Sequence, residues 1–273
     1  MSFRRKRLYT IMLMFALGAR LAAAIFQVPD NVILPYTPMI APIPRSMKEI
    51  LRRAAVNGIL VSFWNVNQGF HTDQESGKPK EQQDQPSPST YGEITTTGAR
   101  QLFEHMGLTR SLHGSTFMDL GSGTGKLVTH ACLELDCLER AVGIELDASR
   151  HAIGMDILKR SRRHEQVDYE KIESVVHLYC GDMFDLDVLE ATHLYIASLC
   201  FTKEMMHALS TKLQKEAPKL QCVATLQPFP PAASEDSTSS TFALIQTEYI
   251  EMSWTKPFGC PVYFYRLENA DEQ

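Results

Sequence analysis

Asp119-Leu-Gly-Ser-Gly-Thr-Gly125 is the stretch on which the fold turns. It closes an apolar run, Thr116-Phe-Met-Asp-Leu120, and leads into a helical pattern read from Leu127 to Leu138. Gly121, Gly123 and Gly125 let the chain turn tightly and bring backbone N–H groups close to a ligand near a helix N-terminus. A phosphate-cradling P-loop requires G-x-x-x-x-G-K-[ST]. Here Lys126 is followed by Leu127, and position 120 is leucine, so that reading fails twice. A dinucleotide fingerprint requires G-x-G-x-x-G. The spacing here is G-x-G-x-G, and Asp119 would repel a pyrophosphate.

Working outward, short apolar strands alternate with helical patterns. Ala141–Glu145, Val175–Tyr179, His193–Ala197 and Cys222–Leu226 read as further strands. Helices are expected after the second strand, to about Arg163, and from Thr202 to about Lys215. Ala243–Ser253 and Val262–Leu267 have no helix between them and read as an antiparallel hairpin. The expected fold is therefore α/β: a doubly wound, mostly parallel seven-stranded sheet with an antiparallel C-terminal hairpin, Rossmann-like in architecture. Asp119 suits a ligand with a cationic amino-acid end. S-adenosylmethionine (SAM) carries an ammonium and a sulfonium and no phosphate. Glu145, at the end of the second strand, can accept both ribose hydroxyls of an adenosine cofactor. Gly181-Asp182 follows the third strand, where a carboxylate can accept from an adenine amino group. Taken in order, these elements imply SAM as the cofactor.

The same residues resemble the class I SAM-dependent methyltransferases. A more particular likeness is Tyr91-Gly-Glu-Ile-Thr95, similar to the Y-G-E-[TI] loop of the disruptor-of-telomeric-silencing (Dot-type) histone-lysine methyltransferases, which folds over the cofactor. Phe201 with Glu204 resembles the family's F-x-x-E, and Gln227-Pro-Phe-Pro-Pro231 its K-P-F-x-P. Met252-Ser-Trp-Thr255 with Pro261-Val-Tyr-Phe-Tyr265 resembles its closing hairpin. The likeness spans about residues 90–268. It implies a cofactor site of Tyr91, Glu93, Thr95, Asp119, Gly121, Gly123, Gly125, Lys126, Glu145, Asp182 and Met183. It also implies transfer of methyl to a lysine in the core of histone H3, a nucleosome as partner, and the nucleus as location. The departures lie on the acceptor side. Ala197 and Ser198 stand where the family has paired asparagines, and Phe264 stands where it has a channel tyrosine. Ser198, Phe201, Trp254 and Phe264 are the candidates to contact the acceptor. A lysine acceptor must be neutral to attack, and apolar walls beside a sulfonium lower its pKa from roughly 10.4. The altered acceptor side keeps two other readings open: a SAM methyltransferase for another protein or a small molecule, and a SAM-binding module without catalysis.

Composition bounds the remainder. The 273 residues are 44% hydrophobic and 22% charged, which fits a globular chain and excludes a collagen-like or wholly disordered one. A formal charge of −5 makes a poor general binder of phosphate backbones. The best basic stretch is Lys159-Arg160-Ser-Arg162-Arg163-His164. Six cysteines without a C-x-x-C give no sign of a structural zinc site and read as core thiols; no metal is expected. Residues 1–28 begin with Arg4, Arg5, Lys6 and Arg7 ahead of an apolar run and Ala22-x-Ala24, a signal- or targeting-like segment that points to secretory or organelle delivery instead of the nucleus. Membrane contact is expected only if that segment is retained. Residues 29–70 hold a proline-rich stretch and a short helix from Met47 to about Leu60, with Ser46 and Glu49 as a capping box. Residues 71–90 read as a polar linker, and 91–273 as the methyltransferase domain.

Overall fold

The computed structural model describes residues 42–44, 46–64, 92–111, 113–165, 167–230, 241–255 and 258–268. The signal-like segment, the polar stretch 71–90 and Tyr91 lie outside the described residues. Seven strands, β1 (Ser115–Leu120), β2 (Leu138–Glu145), β3 (Val176–Cys180), β4 (His193–Ile196), β5 (Cys222–Thr225), β6 (Thr241–Ile250) and β7 (Cys260–Glu268), form one sheet in the order β3-β2-β1-β4-β5-β7-β6. β1 to β5 run parallel, and β7 lies antiparallel between β5 and β6. This is the doubly wound sheet with a C-terminal hairpin that the residue pattern predicts.

The inner strands are apolar on both faces because both faces are covered. On β1, Phe117 points into a core shared with Leu102 and Phe103 of helix α2 (Thr96–His105) and Val128 and Ala131 of α3 (Lys126–Glu134). Met118 and Leu120 point the other way. They meet a second core that contains Met206, Leu209 and Leu213 of the helix Lys203–Glu216. Burying one such leucine or phenylalanine contributes about 1.5–3 kcal/mol, so the two layers together hold β1 at the centre.

Several expectations are corrected. The helix read from Leu127 to Leu138 ends at Glu134, because Leu135 turns extended and Leu138 is already paired with Ser115 of β1. A repeating βα alternation does not hold after β3, where a short 3-10 turn, Met183–Asp185, leads toward β4. Two helices instead lie between β2 and β3: α4 (Ala148–Ser161) and α5 (Tyr169–Val175). Of the cysteines read as core thiols, Cys132, Cys137, Cys222 and Cys260 are buried, whereas Cys200 is half-buried and Cys180 is exposed on edge strand β3.

Helix α1 (Met47–Phe63) is capped as its sequence predicts, with the Ser46 hydroxyl accepting from the Glu49 amide. Its apolar stripe does not face solvent. Val56, Leu60 and Trp64 pack with Ile157 of α4 and Leu133 of α3. A buried polar cluster adds a second attachment. Arg100 of α2 donates to both carboxylate oxygens of Glu134 at 2.6 and 2.7 Å, and to the Asn57 side-chain oxygen of α1 at 2.9 Å. The Arg53 guanidinium lies 3.5 Å from the same carboxylate, and the His130 ring lies 2.9 Å from it. The last helix, α6, is Lys203–Glu216. Among the described residues no helix is long and apolar enough to cross a membrane, and no cluster of His, Cys, Asp or Glu is arranged to hold a metal.

Candidate functional site

Strand order reverses between β1 and β4, and open α/β sheets present ligands with a crevice at the carboxyl ends of the strands flanking such a point. A cavity of about 390 Å³ opens there. The glycine loop forms its floor. Gly121, Gly123 and Gly125 all have left-handed backbone, with φ of 91°, 56° and 73°. A side chain at Gly125 would be strained by its left-handed backbone, and its Cβ would lie 2.6 Å from Leu178 Cδ1, which would have to shift. The Gly125 amide donates to Ser122 O at 2.8 Å, which closes the turn before α3 begins.

Among the carboxylates that line the cavity, three follow the order of the strands: Asp119 from β1, Glu145 from β2 and Asp182 after β3. Glu145 is held from two sides. Its Oε2 accepts from the Gly123 amide at 2.7 Å and its Oε1 from the Asp147 amide at 2.9 Å. Asp182 caps the following 3-10 turn, its Oδ1 accepting from the Phe184 amide at 2.9 Å. Asp119 differs from both. Burial, reinforced by the Glu145 charge, pushes its carboxyl up to about 8. It therefore waits for a cation. Directly across in the β1–β4 register stands Tyr195, buried, its phenol held well above the usual range by desolvation and by Asp119. This desolvated acid is what a ligand with an ammonium group requires. The set as a whole also offers acceptors for ribose hydroxyls and an adenine amino group, so the residues present fit SAM.

The segment 92–95 forms one wall and is pinned to the chain following β6. Thr95 N donates to Glu251 O at 3.2 Å, Ser253 N donates to Glu93 O at 2.8 Å, and Ile94 bridges Met252. Gly92 lies against the Trp254 ring so closely that a Cβ there would meet it at 2.5 Å. The Glu93 carboxylate pairs with Lys126 Nζ at 2.8 Å at the start of α3. The cavity wall at 92–94 is thus braced from outside by a segment some 160 positions away.

Of the residues singled out from the sequence, Glu93, Asp119, Gly121, Gly123, Lys126, Glu145, Asp182, Met183 and Phe201 line the cavity. Thr95 lies beside it and caps α2, its hydroxyl accepting from Gly98 N at 3.0 Å. Gly125 shapes the turn from behind. Tyr91 lies outside the described residues. Ser198, Trp254 and Phe264 do not reach the lining. The Ser198 hydroxyl is fully buried and accepts from the Leu226 and Gln227 amides at 3.1 and 3.0 Å, tying the end of β4 to the end of β5. Phe264 is fully buried in the core beneath β7, its ring beside His105. Trp254 is exposed outside the wall it braces.

Sequence reasoning missed Tyr195, His130, Arg150, Leu146, Phe184 and Met205, which also line the cavity. Tyr195 could have been found by placing β4 in register with β1, and Leu146 and Phe184 by their positions just after Glu145 and Asp182. His130 and Arg150 carried no signal, since each reads as an ordinary helix residue.

Several solved structures are similar. An RNA methyltransferase from Salinibacter ruber in complex with S-adenosyl-L-homocysteine shares 21% identity, with 62% of this chain and 89% of that chain covered, at a TM-score of 0.40. A putative RNA methyltransferase from Pyrococcus horikoshii shares 14% over 80% of this chain and 98% of that chain, at 0.44. The rRNA methyltransferase aviRa from Streptomyces viridochromogenes shares 13% over 66% and 88%, at 0.45. No curated protein matches the chain. The family described as "Histone methylation protein DOT1" matches residues 75–264, a span that contains the glycine loop, the three carboxylates and both halves of the pinned wall. The chain belongs to this family and is a class I SAM-dependent methyltransferase.

Proposed function

We propose that the protein transfers methyl from SAM to the side-chain amine of a lysine in the core of histone H3, acting on nucleosomes in the nucleus. The observation that carries this reading is the pairing of the cavity wall at 92–95 with residues 251–254 behind it, the most family-particular part of the sequence, within a DOT1 family match. SAM, when bound, supplies the methyl as an electrophilic sulfonium. The chain's own residues then have three tasks. Asp119, once ionised beside the ligand's ammonium, would hold the amino-acid end, and Glu145, already immobilised by two amides, would accept from the ribose hydroxyls. Asp182 would accept from the adenine amino group, with the apolar Leu146, Met183 and Phe184 in the same lining. Phe201, Met205, Tyr195 and Ala197 form the wall toward the acceptor.

Those four residues carry no formal charge at neutral pH, and their surroundings favour the neutral amine over the ammonium. A lysine would give up its proton to bulk water before entering, so the chain's own residues would position the neutral amine and would need to supply no base. The missing asparagines do not leave a polar group in their stead, because Ser198 is committed to the β5 end. Ala197 extends the apolar wall, which suits an amine nucleophile.

Nucleosome contact falls to a narrow basic face. Arg160 pairs with Asp156 and Arg162 with Glu173, which leaves Lys159 and Arg163 as the exposed cations of that stretch without an ion pair among the described residues. The test is to incubate the protein and methyl-labelled SAM with intact nucleosomes, free histones and a protein-free metabolite extract in parallel. Label on an H3 core lysine of the nucleosomes is expected. Label only in the extract assigns the acceptor to the small molecules and overturns the histone reading.

A further inference from the structure

Trp64 ends helix α1 and lies ahead of residues 75–264, the stretch that matches the family. Its indole is nearly enclosed, at 5% exposure, and its Nε1–H donates to the carbonyl of Thr124 at 3.2 Å. Thr124 is a cavity residue in the middle of the glycine loop. Its carbonyl is also confined from the other side, where a Cβ on Gly154 of α4 would come within 2.8 Å of it. The next amide, that of Gly125, donates to Ser122 O at 2.8 Å. The Thr124–Gly125 peptide is thus fixed at both ends, and one of the two fixings comes from outside the family-matched stretch.

We propose that Trp64 is a positioning residue for the cofactor, setting the glycine loop through the Thr124 carbonyl, and that helix α1 is therefore part of the cofactor site. The helix is held for this task by Val56 and Leu60 against Ile157, and by Asn57 and Arg53 on the Arg100–Glu134 pair. Through Glu134 that pair reaches His130, which lines the same cavity. Without the indole donor the loop samples other peptide orientations and meets the ligand less often in the binding geometry. That raises the dissociation constant without altering the transfer step.

This proposal rests on the SAM reading of the cavity, and the experiment separates the two. The full chain, its Trp64→Phe variant and its Leu213→Ala variant are compared for SAM affinity by calorimetry, for KM and kcat, and for thermal midpoint. Trp64→Phe is expected to raise both the dissociation constant and KM for SAM about fivefold, the worth of one neutral hydrogen bond, with kcat within twofold. Leu213→Ala removes packing from α6 in the second core and leaves α1 and the donor in place. It is expected to lower the thermal midpoint more than Trp64→Phe does and to leave SAM affinity within twofold. A benzothiophene isostere at position 64, the same shape without the N–H, should reproduce the affinity loss even where the smaller phenylalanine ring disturbs the helix. Unchanged affinity in both Trp64 replacements, or an equal loss in Leu213→Ala, overturns the positioning role while the SAM reading stands. Failure of the parent chain to bind SAM overturns both.

Discussion

Replacing Asp119 by asparagine should separate stability from cofactor binding, with opposite signs. In the ligand-free protein, burial and the Glu145 charge raise the Asp119 carboxyl from 3.8 to about 8. A carboxyl whose folded pKa is raised contributes stability that is fully present below the unfolded value and is lost as pH rises toward the folded value. At pH 7 the difference amounts to about 4 kcal/mol of destabilisation at most, at about 1.4 kcal/mol per unit. Asp119→Asn removes that cost, so the thermal midpoint of the ligand-free protein should rise at pH 7, with the gain shrinking toward pH 4. Cofactor binding should respond in the other direction. Only the ionised Asp119 can pair with the ligand's ammonium, and at pH 7 roughly a tenth of the ligand-free protein has it ionised. SAM affinity should therefore rise roughly thirtyfold between pH 5.5 and 7.0, close to tenfold per unit at the lower end and slightly less at the upper, with nearly one proton released per SAM bound. Calorimetry across that range in two buffers of different ionisation heat measures both quantities. The asparagine variant should bind weakly with a flat pH profile. An affinity in the parent that does not change with pH, or an Asp119→Asn protein that binds SAM as tightly as the parent, would refute the reasoning.

Other substitutions test the surrounding structure. Gly125→Ala meets both a left-handed backbone and Leu178 at 2.6 Å, so chemical denaturation should show a loss of about 2 kcal/mol or more, together with loss of SAM binding. Gly92→Ala drives a Cβ into the Trp254 ring and displaces the wall of the cavity; SAM affinity and kcat/KM should both fall, kcat/KM by roughly tenfold or more, while the far-UV spectrum changes little. At Glu134, burial alone would raise the carboxyl, but hydrogen bonds from His130 and Arg100 outweigh it and hold the group at about 2. Its stability is thus present above the usual carboxylate range and is lost as pH falls toward 2, and Glu134→Gln should cost about 3–5 kcal/mol at pH 7 by stranding Arg100, with the acid-sensitive part of the unfolding profile diminished. Ser198→Ala leaves the Leu226 and Gln227 amides without their acceptor; a stability loss of about 1–3 kcal/mol should appear, whereas a direct catalytic role for the hydroxyl would lower kcat with stability unchanged.

What the sequence made legible follows from which interactions are local. The glycine loop, Glu145 and Asp182 could be read because each stands immediately after an apolar strand, and strand ends in a parallel sheet share one edge. Parallel pairing of β1 to β5 was legible from the alternation of strands and helices, but the order in which the strands lie comes from the structure. Helix α2 was not legible as a helix. Its start is set by the Thr95 cap and by Gly98 packed against the Glu251 carbonyl, a partner more than 150 residues away. The overrun of α3 to Leu138 has a similar origin: Leu138 belongs to β2 through pairing with Ser115, which local periodicity does not reveal. Ser198 was read as facing the acceptor because its position follows β4, but the turn Ser198–Cys200 directs its hydroxyl to the β5 end. Trp64 and Phe63 are aromatic residues that suggest docking of α1, but the carbonyl that the Trp64 indole meets lies 60 positions away, and no pattern within α1 encodes that.

The most direct measurement is a crystal structure of the protein with S-adenosylhomocysteine. The account predicts the ligand in the cavity between the glycine loop and the 92–95 wall. Its ribose hydroxyls should lie on Glu145, its amino-acid end toward Asp119, its adenine beside Asp182 and Phe184, and its sulfur toward Phe201 and Ala197. A ligand bound elsewhere, or one reversed so that the adenine meets Asp119, would contradict it.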